Sequence, residues 1–159
     1  MPVIVGLVPQ LSALSVVDLC DGGVGRVNAQ QLDVLVIDAA NVVGSRPDGW
    51  WRDRPGAAAR LHARLRQYLD EEPGSATRNV LVLEGRARAD VPAGVAGSLE
   101  VVHAPREGDD AIVDEVRRTD VADGTLAVVT ADRGLAARVE QFGATVVRPG
   151  WLLDRLADG

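Results

Sequence analysis

Four aspartates stand where carboxylates of this chain can act together. Asp38 closes the apolar run Asp33-Val-Leu-Val-Ile-Asp38, Asp109 and Asp110 open a helix-like stretch, and Asp132 follows a second apolar run, Leu126-Ala-Val-Val-Thr-Ala-Asp132. In an open parallel sheet the carboxyl ends of the strands share one edge, so acids placed there meet in one crevice. Gathered carboxylates repel one another and call for a divalent cation. Oxygen-only ligands suit Mg2+ or Mn2+, which would hold a phosphate oxygen and acidify a water for in-line attack at phosphorus. The chemistry indicated is therefore cleavage of a phosphodiester or phosphoanhydride.

The set read as catalytic is Asp38, Asp110, Asp132 and Asn41. Asn41 lies three residues past Asp38, where its amide can hold that carboxylate or a phosphate. Metal ligation is assigned to Asp38, Asp109, Asp110, Asp132 and Asp114, the last on the same helical face as Asp110 at i,i+4 spacing. Glu84, at the end of another apolar run, is a further candidate. Each acid also has a plain alternative, since aspartates after strands cap helices and make turns.

A second segment with chemical content follows directly: Ser45-Arg-Pro-Asp-Gly-Trp-Trp-Arg-Asp-Arg54. Between Arg46 and Arg66 there are six Arg against two Asp, a local +4 in a chain of net charge −6. Arg46, Arg52 and Arg54 are candidates for holding phosphates, and Trp50 or Trp51 for stacking on a base. Arg60 and Arg64 extend the basic track along the next helix. The alternative is one Trp packed under the loop and a solvated Arg face. His62 reads as a surface residue, His103 as a non-catalytic strand end, and Trp151 as packing for the final helix.

The elements that must position these groups follow from periodicity. Asp33 to Ile37 reads as a fully buried strand. A loop containing Gly44, Pro47 and Gly49 follows. Asp53 and Pro55 mark a helix start, and Leu61, Leu65, Tyr68 and Leu69 keep helical spacing up to Pro73-Gly74. Strands are expected at 79–83, 99–102, 126–130 and 144–147, and helices at 109–118, 133–142 and 149–156. Gly143 is the expected C-terminal cap of the second of these. Residues 85–97 form a long connection with weak signals. Strands alternating with helices give a parallel sheet covered on both faces.

The 159 residues suit one domain with a sizeable core, assigned to residues 32–159. Residues 1–31, with their polar Gly-rich end, are expected to be an extension outside the catalytic fold. The chain is 47% apolar with five aromatic residues, so Val, Leu and Ala must build the core. All 17 basic residues are Arg, which removes Schiff-base lysine chemistry and a P-loop lysine. The overall acidity leaves no global field for nucleic acid, so any such partner must be held by a local patch or a metal. The single cysteine, Cys20, rules out an intrachain disulfide. The chain is expected to be cytoplasmic, because residues 2–19 lack the basic start of a signal peptide and are too interrupted to span a membrane.

Three short motifs, in order, carry a resemblance. Asp38-Ala-Ala-Asn41-Val-Val-Gly44 is similar to an opening Asp-Gly-x-Asn-hydrophobic-hydrophobic-Gly. Gly108-Asp-Asp-Ala-Ile112 is similar to an Ala-Asp-Asp-x-Ile helix start, and Thr130-Ala-Asp-Arg133 before Gly143-Ala144 to a Thr-x-Asp signature. Together, across residues 33–148, they resemble the NYN domain, a branch of the PIN-like nuclease superfamily. Ala39 stands where that family usually has Gly, and Val113 where a further acid is common. The resemblance implies a three-layer α/β/α fold with a five-stranded, mainly parallel sheet of order 3-2-1-4-5. It also implies a divalent-metal ribonuclease acting on RNA, with Asp38, Asp109 or Asp110, and Asp132 at the site and Asn41 in support.

Two other functions compete. The same acids and arginines could serve a nucleoside triphosphate pyrophosphohydrolase, although neither a Gly-x5-Glu-x7-Arg-Glu box nor a paired Glu-Glu-x-x-Glu helix is present. A catalytically inactive RNA- or protein-binding module could keep the fold.

Overall fold

The computed structural model describes residues 32–72, 76–122 and 125–157. The proposed extension, residues 1–31, lies outside the described residues. The elements run β1 (Val34–Asp38), α1 (Ala39–Gly44), a 3-10 turn (Trp50–Arg52), α2 (Arg54–Glu71), β2 (Arg78–Leu83), a second 3-10 turn (Gly85–Arg88), β3 (Gly94–Ala96), β4 (Leu99–His103), α3 (Gly108–Arg118), β5 (Leu126–Val129), α4 (Arg133–Glu140), β6 (Thr145–Val147) and α5 (Pro149–Ala157).

The strands form one sheet of order β3-β4-β2-β1-β5-β6. β1 pairs in parallel with β2 on one side and β5 on the other, and β4 and β6 extend the parallel array. Removing β3 leaves the expected order 3-2-1-4-5. The expected count of five strands is corrected to six, because β3 adds antiparallel to β4 at the edge. All three β3 residues are exposed, so the burial and alternation that reveal a strand in sequence are missing there.

Successive side chains on a strand point to opposite faces, and the two cores follow that rule. Leu35 and Ile37 of β1, with Leu81, Leu83 and Val129, meet α1, α2 and α5 through Val42, Leu61, Leu65 and Leu152. Val34 and Val36, with Val80, Val82 and Val128, meet α3 and α4 through Ile112, Val116, Leu135 and Val139. The result is a three-layer α/β/α fold with β1 buried along its whole length. Each such Leu or Val contributes ~1.5–3 kcal/mol by leaving water.

Three helix starts are set by acids, those of α1, α2 and α4. Asp53 accepts from the Gly56 amide at 3.0 Å and caps α2. A Cβ on Gly56 would overlap that carboxylate, which explains the glycine in the first turn. Residues 39–44, expected as loop, form α1 instead, because Asp38 caps them by accepting from the Asn41 amide at 3.1 Å.

The end of the sheet away from Asp38 carries a different device. Glu115 of α3 is fully buried, and it is matched by Arg78 at 2.6 Å, by Arg118, and by Thr119. Arg78 also binds Glu100 of β4. This network fastens α3 to the starting edge of β2 and leaves the other edge for the acids.

Candidate active site at the carboxyl edge of the sheet

The chain leaves β1 outward to β2 and β4, then returns to β5 on the other side of β1. That reversal is the topological switch point where open α/β sheets place ligands. Asp38 ends β1, Glu84 follows β2, and Thr130 to Asp132 follow β5, so three adjacent strands deliver their acids to one place.

Asp38 is 5% exposed and fully hydrogen-bonded. Its Oδ1 accepts from the Asn41 amide at 3.1 Å. Its Oδ2 accepts from Asn41 Nδ2 at 2.7 Å and from Thr130 Oγ1 at 2.9 Å. Asn41 in turn accepts from the Ala131 amide through Oδ1 at 3.2 Å. The Thr130 hydroxyl accepts from the Asp132 amide at 3.1 Å. Asp132 Oδ1 caps α4 by accepting from Leu135 at 2.8 Å. Asp38 and Asp132 are thus joined through Thr130 and Asn41. The cap readings are also fulfilled: Asp38 and Asp132 each both cap a helix and face the crevice.

Across the crevice, Glu84 Oε2 accepts from the Gly108 amide at the start of α3, at 2.6 Å. A Cβ on Gly108 would come within 3.1 Å of that oxygen, so glycine permits the close approach. The starts of α1, α3 and α4 all converge here, and their dipoles favour the negative charge. Burial nevertheless outweighs this for two of the acids. Burial pushes the Asp38 carboxyl above its ordinary range, with Glu84 adding to the rise and the Asn41 and Thr130 hydrogen bonds opposing it. The Asp109 carboxyl is also raised, by burial and then by the charges of Asp38, Asp132 and Glu84, with Arg138 opposing. Asp109 therefore senses all three other acids.

Asp110 and Asp114 are placed differently. Asp110 is exposed and pairs with Arg138 of α4 at 2.7 Å. Asp114 is exposed one turn further along and lies 3.8 Å from Arg117. Of the pair that opens α3, Asp109 is the one whose charge is coupled to the crevice. The donors at hand are all hard carboxylate oxygens, the chemistry that fits Mg2+ or Mn2+. As they stand, no three His, Cys, Asp or Glu side chains among the described residues are grouped so as to hold an ion. The acids share a crevice without closing on a point.

The Trp-Arg segment folds as the 3-10 turn over the end of α1. Trp50 is half-buried, and a Cβ on Gly44 would sit 3.5 Å from its ring. Arg54 lies over the Trp50 ring, 5.4 Å from its centroid. Trp51 meets Trp50 edge-on at 6.3 Å and is 55% exposed. Arg52 is exposed, and Arg46 lines a groove between α1, α2 and α5. One Trp thus packs and the other is presented. His103 Nε2 lies 2.7 Å from the Val91 carbonyl, bracing the 85–97 connection. Arg155 covers the Trp151 ring, which packs against the core.

Sequence reasoning gave no role to Thr130 and did not foresee Glu84 as the acceptor at the start of α3. The Thr130-Ala-Asp132 spacing is the signal for the first. The second joins residues 24 apart and leaves no local trace.

Fold and crevice together define a class: a PIN-like α/β/α architecture with acids at the carboxyl edge of its parallel strands. The chain is similar in structure to Rae1 (YacP) from Bacillus subtilis, with a TM-score of 0.63 at 17% identity over 80% of this chain and 75% of that one. A tryptophan-to-leucine mutant of the same protein gives a TM-score of 0.58 at 17% identity, over 80% and 76%. At this identity the likeness establishes the fold. No protein-family profile matches the sequence, and no curated protein matches it. Among the described residues no helix is long and apolar enough to cross a membrane.

Proposed function

We propose that this protein is a divalent-metal-dependent ribonuclease of the NYN type, working in the cytoplasm on single-stranded RNA. The observation that carries the reading is the junction of Asp38 and Asp132 through Thr130 and Asn41, beside the α3 start that carries Asp109.

Mg2+ or Mn2+ would be held by Asp38, Asp109 and Asp132, with Asp110 and Asp114 as outer acids on α3. When bound, such an ion supplies charge neutralisation at phosphorus and acidification of a water. The chain's own residues do the rest. Asn41 and Thr130 fix the Asp38 carboxylate so that it need not reorganise, which is where preorganised sites gain rate. Asp132 keeps Oδ2 out of any hydrogen bond among the described residues, so it can turn toward a ligand without releasing α4. Arg46, Arg52 and Arg54 oppose the negative crevice and hold the phosphates of the strand, while Trp51 offers a face to a base.

The separation of the acids favours one runner-up, a binding module of the same fold without turnover. Incubation of the purified protein with labelled single-stranded RNA and, separately, with nucleoside triphosphates, in Mn2+ or in chelator, decides among the readings. The nuclease reading expects RNA fragments only with Mn2+. Triphosphate hydrolysis with intact RNA would replace it with the pyrophosphohydrolase, and RNA bound but uncut with the module.

A further inference from the structure

On the helical layer that packs against Leu35 and Ile37, the end of α1, the first half of α2 and the face of α5 line a groove of about 390 Å³. Its floor is apolar, with Leu61, Leu153 and Leu156, and its walls carry Arg46, Arg60 and Arg64 against one acid, Asp48. That volume falls within the range of sites that take a nucleotide-sized ligand. Among the described residues Arg60 is in an ion pair, with Asp53 at 3.4 Å, and both groups are well exposed, so the pair yields readily to a stronger anion. Three guanidinium groups against one carboxylate leave the groove net positive, in a chain of net charge −6. The turn that joins the two walls carries the exposed Trp51.

We infer that this groove is a second RNA-binding subsite, which holds the backbone of a single strand whose neighbouring phosphodiester lies in the acidic crevice. α1 separates the two places: Asp38 precedes it and Arg46 follows it, and its six residues span ~9 Å. Guanidinium forks match phosphate oxygens in pairs, and the apolar floor suits the sugar and base that the backbone carries. An acidic peptide would satisfy the arginines but would leave the Trp51 face and the apolar floor without a planar partner. The inference rests on the ribonuclease reading for its direction of travel, and it makes the enzyme grip its substrate beside the cut.

The test is fluorescence anisotropy with a labelled oligoadenylate across a salt series, followed by cleavage assays. The proteins are the full chain, the double variant Arg46→Gln/Arg64→Gln, and Arg117→Gln on the opposite layer as control. The double variant is expected to bind ten-fold or more weakly and to lose about 1.4 from the slope of log Kd against log salt, the value for two phosphate contacts to a single strand. Arg117→Gln is expected to match the unmodified chain. If the double variant binds with unchanged Kd and slope while the unmodified chain cuts RNA, the groove assignment falls and the nuclease stands. If RNA binding depends on Arg46 and Arg64 but nothing is cut, the groove stands and the nuclease falls. Tighter, arginine-dependent binding of poly-glutamate than of RNA overturns the RNA occupant, as does failure to bind RNA at all.

Discussion

Thr130 donates its hydroxyl to Asp38 Oδ2 at 2.9 Å, across 92 residues of chain, and accepts from the Asp132 amide with the same oxygen. One side chain therefore sets the positions of two acids, one at the end of β1 and one in the loop after β5. Thr130→Val keeps the shape and removes both bonds. Loss of a hydrogen bond to a charged group costs ~1.5–3 kcal/mol, and loss of an outer partner of a metal-binding carboxylate typically costs ~10–100-fold in affinity or activity. Thr130→Ser should restore most of both. Denaturant titration and turnover measured side by side check this, and a valine variant with full activity would remove Thr130 from the site.

Asp109 makes a prediction about stability with a definite sign. Its folded pKa is raised, so the ionised form is penalised in the native state. Below the unfolded pKa that penalty is absent, and it grows as pH rises through the folded pKa. Asp109→Asn removes it. The metal-free variant should melt above the unmodified chain at about pH 7, and the gap should close as pH falls toward about 4. Melting curves across that window decide it, and a variant less stable at neutral pH contradicts the electrostatic account. The same variant should lose turnover.

The two adjacent tryptophans are expected to separate by role. Trp51 is presented to solvent, so Trp51→Ala should leave the melting temperature unchanged and weaken RNA binding by ~1–3 kcal/mol. Trp50 is packed beside Gly44 and under Arg54, so Trp50→Ala should lower stability. Paired binding and melting measurements distinguish them. Equal losses of binding without loss of stability would mean that both rings face the substrate.

Glu115 offers a prediction away from the crevice. It is fully buried and held by Arg78 and Arg118. Glu115 is the buried member and its two arginines reach solvent, so Glu115→Ala strands no buried charge; losing its charged hydrogen bonds should cost ~1.5–3 kcal/mol while the remaining folded fraction keeps its turnover per molecule. Unfolding in urea with active-site titration would show this. A variant of normal stability would place the network in the solvated class of ion pairs.

The particular residues explain what could be read from the chain. β5 is an apolar run, β1 is one up to Asp38, β2 carries one from Val80 to Leu83 and β4 keeps Leu99, Val101 and Val102, while α2 and α3 repeat their apolar residues at helical spacing, so the parallel core is legible. β3 is three exposed residues held only by pairing with β4, and pairing leaves no local pattern. α1 is too short to show a period, and its signal is the Asp38 cap that chemistry claims first. Glu115 betrays itself weakly, as a charge three residues from Ile112 on an apolar face, but its partners on β2 cannot be inferred locally. The acids of the crevice were visible as types and positions. That Asp109 couples to Asp38 and Asp132, while Asp110 turns to Arg138, depends on how α3 and α4 sit together, which only the packed molecule fixes.

The most direct measurement is a crystal soaked in Mn2+, with data collected for manganese anomalous scattering. The account predicts an anomalous peak in the crevice, ligated by carboxylate oxygens of Asp38, Asp109 and Asp132, and its loss in Asp38→Asn crystals soaked identically. A crevice without manganese, in crystals of a protein that cuts RNA under the same Mn2+ concentration, would contradict it.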